Sequence, residues 1–145
     1  MSIGRIALAA LGAFVVYFLL GGAIFGAVPF LRAEFQKYPA VYRPQEGQMS
    51  HMPTGMAAMF LSMVVLAVLY AMAYRGSTGL SDGALAGSQF GALIGIFAIG
   101  SFVVHNYVNL NIGLKLTVAS AIASLVSWTV AGIAIGLIYR PSVLH

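Results

Sequence analysis

Four stretches of this chain each run for more than twenty residues without an Asp, Glu, Lys or Arg, and no other feature narrows the possible folds so sharply. An α-helix rising 1.5 Å per residue needs roughly 20 apolar residues to cross about 30 Å of hydrocarbon. Lipid offers no hydrogen bonds to peptide groups, so a crossing segment must close its own backbone bonds, and a helix does so within itself. A membrane barrel would instead alternate apolar and polar residues in segments of about 10, a pattern this chain lacks. The reading is an all-α integral membrane four-helix bundle: one transmembrane domain over residues 1–145, with spans at 6–31, 53–74, 84–108 and 116–139. Composition agrees. The chain is 61% hydrophobic and 7% charged, against about 25% charged residues in soluble domains, so it could not clothe a water-facing surface.

Punctuation marks the ends of these spans. Arg5 precedes the first, whose apolar run far exceeds the roughly 7–15 residues of a signal-peptide core, so it is read as a span. Pro53 stands where a first helical position would fall, and Arg75-Gly76 closes the second span. Asp82 is a cap for the third, and Arg140-Pro141 stops the fourth. Between the first two spans, Phe30 to Tyr38 places Leu31, Phe35 and Tyr38 on one side, which predicts a short interfacial helix ended by Pro39. Pro44 and Gly47 predict irregular chain after it.

Cations divide three against four between the two sides, with Arg5, Arg75 and Arg140 opposite Arg32, Lys37, Arg43 and Lys115. The positive-inside rule therefore discriminates little. The long loop holds two of the three acids and first-span flanks often dominate, so the termini are assigned to the cytoplasmic side of an inner membrane. No basic run exists of the kind a nucleic acid needs, and that partner class is excluded.

Small residues recur at helical spacing. Gly87, Gly91 and Gly95 form one row, Ser120, Ser124, Ser127, Ala131 and Ala134 another, and Gly22 with Gly26 a third. Such rows let helix backbones approach closely where no hydrophobic drive separates helix from lipid. They predict a tightly packed bundle and a contact with other membrane subunits or with a second copy. Trp128 falls mid-span rather than at the interface that tryptophan favours. It is read as a packing wedge, or as the wall of a ligand site.

The most polar stretch at a span is His105-Asn106-Tyr107-Val108-Asn109. At 100° per residue His105 points the same way as Gly87, which predicts that it faces the packed seam with Asn109 one turn on. Ser101, His105, Asn106, Asn109 and Trp128 thus make the candidate polar site. Its readings are stitching between helices, a polar path for a small molecule or ion, and axial ligation of haem or a chlorin by His105. In the second span Met49, Met52, Met56, Met59 and Met63 recur at three-four spacing near His51. Thioethers and imidazole suit copper(I), yet methionine also fills apolar seams; no metal or other cofactor is expected. No span contains a carboxylate and the chain has no Cys, so acid–base and thiol catalysis lack their residues, and Ser101 with His105 lacks a third partner. The chain is not read as an enzyme.

Tyr17 through Phe25, Gly87–Gly95 leading to His105-Asn106, and Gly132–Gly136 together resemble a family of uncharacterised four-helix bacterial membrane proteins. The resemblance implies four spans and a bacterial origin, and carries over no functional residue. The function expected is that of a structural or accessory protein acting by helix packing within a larger membrane complex or a homo-oligomer. A conduit lined by polar residues of the third and fourth spans, and a cofactor-binding protein, are the alternatives.

Overall fold

The computed structural model describes residues 2–74 and 80–139, apart from the side chains of residues 80 and 81. The closures read at Arg75-Gly76 and Arg140-Pro141 lie outside the described residues. The described chain is helical and contains no strand. Four of its helices are long and apolar enough to cross a membrane.

Helix α1 covers Ile3–Ala27 and α2 covers Pro29–Gln36. The expected first span ran on to Leu31, but the helix stops before Val28, whose backbone is extended at φ −95° and ψ 100°. Pro29 is the cause: its ring crowds the preceding residue out of the helical region, then serves well as the first residue of the next helix. Helix α3, Gln45–Ala73, starts eight residues before the expected Pro53 and carries that proline inside it. Pro44 provides the extended N-cap, Glu46 lies in the first turn where the helix dipole favours an acid, and Gln48 Nε2 donates to the Arg43 carbonyl at 2.7 Å. The chain after Pro44 is therefore ordered helix, not irregular loop. The third long helix combines α4 (Leu80–Ala98), a π-helical turn (Ile99–Val104) and α5 (His105–Asn109). Asp82 sits within its first turn and not at the cap. Helix α6, Leu114–Ile138, follows an extended Gly113.

Contacts run in the order α4–α6–α1–α3, and α4 against α6 is the most extensive of them. Helix α3 lies on α1 and meets α4 through an edge-to-face contact of Tyr70 and Phe90, ring centroids 5.4 Å apart. The core gathers at this end: Ala9, Ala10 and Ala13 of α1, Met63, Ala67 and Tyr70 of α3, and Ala131 and Ile135 of α6 are all buried. Alanines there bring the helix axes close, so that dispersion between neighbouring atoms holds the pairs together. Toward the other end α3 is less covered: Phe60 still meets Phe14 edge to face at 5.7 Å, but none of the residues Gln45–Ser62 is buried.

Candidate functional site

The closest approach in the molecule is the α4–α6 seam. A methyl group added to Gly87 would collide with the carbonyl oxygen of Gly132, and one on Gly91 with that of Trp128. Gly132 and Gly136 return the relationship toward Gly87 and Gly83, and a methyl on Gly95 would lie 3.1 Å from Leu125 Cα. This is backbone against backbone, reached because α4 presents only glycine there and α6 meets it with Gly132 and Gly136 at one end. Ser127 is buried on the same helix, Ser120 and Ser124 half-buried. Trp128 is half-buried and its ring lies 4.8 Å from that of Tyr17, so it wedges α1 against α6 while its own carbonyl abuts Gly91.

The polar stretch does not face this seam. His105, Asn106, Asn109 and Ser101 are all exposed, whereas Gly87 is buried. No residue of Ile99–Asn109 is buried, and the extrapolation also fails on the helix's own geometry. Extrapolating at 100° per residue from Gly87 assumes an uninterrupted α-helix, but Ile99–Val104 is π-helical and closes i→i+5 bonds. Each such turn takes an extra residue and turns the following side chains by about 100°. π-Turns inside helices also mark functional positions more often than chance. Asn109 spends its amide on the His105 carbonyl at 2.8 Å, which closes the helix end.

The methionine stripe divides. Met63 is fully buried against α1, Met56 and Met59 are half-buried, and Met49 and Met52 are exposed. His51 stands about 200° round the helix from Met49 and about 100° from Met52, off the stripe. Its Nε2 is 3.1 Å from Arg43 Nη1, and its Nδ1 is 2.9 Å from the Gly47 carbonyl. Because a guanidinium only donates, Nε2 accepts and Nδ1 carries the proton. The nitrogen a metal would take is thus already engaged. Among the described residues no three His, Asp or Glu side chains group closely enough to hold a metal ion.

Two arrangements escaped the sequence reading. Glu34, 5% exposed, is ion-paired with Lys37 at the end of α2, and Tyr38 just beyond accepts the Gly113 N–H at 2.8 Å. That bond ties the loop to the start of α6, which has no side-chain cap of its own. The i, i+3 spacing of Glu34 and Lys37 was visible, but the burial was not. At the opposite end Tyr70 is 1% exposed, touches Tyr74, Phe90 and Tyr139, and its hydroxyl has no hydrogen-bond partner among the described residues. The Met63–Ala67–Tyr70–Tyr74 spacing of four, three and four residues would have found this buried edge. Nearer the loop, burial and the neighbouring Tyr38 push the Tyr42 hydroxyl above its usual range.

No family model matches this chain, and no curated protein and no solved structure is similar to it.

Proposed function

We propose that this is a multi-pass membrane protein of the structural or accessory kind, without catalysis of its own, which acts by packing helices against other membrane subunits or other copies of itself. The reading places it in a bacterial inner membrane as a single four-helix domain, termini on the cytoplasmic side, with lipid around it and no resident cofactor. One observation carries it. Gly87, Gly91, Gly132 and Gly136 are consumed by backbone contact inside the chain, while Gly22 and Gly26 of α1 have nothing within 4 Å of where a side chain would begin. Close-packing faces of this type exist to be covered by another helix. The first half of α3 likewise has no buried residue.

The test is the size of the gently extracted particle. Gly22→Leu with Gly26→Leu is expected to shrink it toward the single chain while leaving helical content unchanged. A particle of unaltered size would count against the proposal.

A further inference from the structure

We infer that the end of the molecule formed by α2, the loop after it and the start of α6 binds the headgroups of anionic phospholipids. This rests on the membrane reading of the four long helices and goes beyond the accessory role. The chain's path gathers charge at this end. Of the five Lys and Arg among the described residues, Arg32, Lys37, Arg43 and Lys115 are here, and the Tyr38–Gly113 bond draws α2 and its loop onto the start of α6, two residues from Lys115. Arg32, Arg43 and Lys115 are exposed. Of the two acids at this end, Glu34 is buried and paired with Lys37, which leaves Glu46 as the exposed one.

Depth supports the same occupant. Gly95 packs opposite Leu125 near the middle of both long helices. The start of α6 lies about ten residues away, roughly 15 Å, where hydrocarbon gives way to headgroups. Helix α2 turns Leu31 and Glu34 toward the protein and leaves Phe30, 52% exposed, and Arg32 on its outward faces. An exposed aromatic ring and an exposed guanidinium on one short helix suit the boundary of acyl chain and phosphate. Cations facing lipid at that level are complementary to phosphate and draw anionic lipid in preference to zwitterionic lipid.

The experiment uses the full chain in vesicles of equal parts phosphatidylglycerol and phosphatidylcholine, with retained lipid counted after gentle extraction. Phosphatidylglycerol is expected to be retained several-fold over phosphatidylcholine. Each cation near the surface is worth about five-fold, so Arg32→Gln or Lys115→Gln alone should remove most of the preference, which should also fade as salt is raised on the unaltered protein. Arg32→Lys should keep it. Equal retention of the two lipids, a preference untouched by salt, or an equal loss in Arg5→Gln at the opposite end would overturn the inference. So would displacement of the lipid by millimolar inorganic phosphate, which would mean that the site reads free phosphate. Failure to insert into vesicles would instead strike the membrane reading, and a monomeric particle the accessory one.

Discussion

At the scale of single residues, the sharpest statements concern atoms that touch. Gly91 has the Trp128 carbonyl where a side chain would go, so Gly91→Leu must push the α4 and α6 backbones apart. Overpacking of this kind costs about 1–3 kcal/mol, read as a lower unfolding midpoint in mild detergent. Gly22→Leu, with open space around it within the chain, should leave the midpoint of the single chain in place. The two buried-end tyrosines predict opposite signs. Tyr38→Phe removes the acceptor for the Gly113 N–H and should cost about 1 kcal/mol. Tyr70→Phe removes a buried hydroxyl with no partner among the described residues and should be neutral or stabilising, because a lone buried hydroxyl is itself a penalty. Equal losses in both variants would refute this contrast. Part of the residue scale was legible beforehand: the Gly87–Gly95 row followed from spacing alone, and the mid-span place of Trp128 suggested either a wedge or a ligand-site wall. The burial of Glu34 was not, because it depends on α2 folding back over α6, a long-range event that local spacing does not encode.

At the scale of elements, the departures from expectation all have local causes. Proline accounts for two of them: Pro29 ends α1 four residues before expected, and Pro53 is carried inside α3 because Pro44 already supplies the start. The π-turn redirects His105, since an arithmetic of 100° per residue cannot sense an inserted residue. Deleting Gly100, which has nothing within 4 Å, should restore α-helical register. His105 and Asn106 would then rotate by about 100° toward α6, and a cysteine-reactive probe at position 105 would lose accessibility. Unchanged accessibility would mean that the π-turn does not set their direction. The loop element has its own pH signature. The Tyr42 hydroxyl is held above its usual range of about 10 chiefly by burial, so the folded loop binds that proton more tightly than the unfolded chain. Its contribution is fully present below the unfolded value and is lost as pH rises through the folded one. Alkaline titration should therefore loosen the contact of Tyr42 with Phe35, whose ring centroids lie 4.7 Å apart. Tyr42→Phe should remove that transition from hydrogen exchange of the loop; its persistence would assign it to another group.

At the scale of the whole molecule, the core that joins α1, α3 and α6 gathers toward one end. Buried alanines, Met63 and the tyrosine cluster hold those three helices together there, while the part of α3 from Ser62 back to Gln45 has no buried residue. That four long apolar helices exist was written in the charge-free runs. How they neighbour one another was not, because runs of equal hydropathy carry no order. The central claim is that other helices cover what this chain leaves bare. Native mass spectrometry of protein extracted gently from its own membrane tests it most directly. The account predicts a mass above that of the 15.2 kDa chain, either a whole-number multiple of it or a complex with another membrane subunit. A bare 15.2 kDa particle with neither partner nor second copy would contradict it.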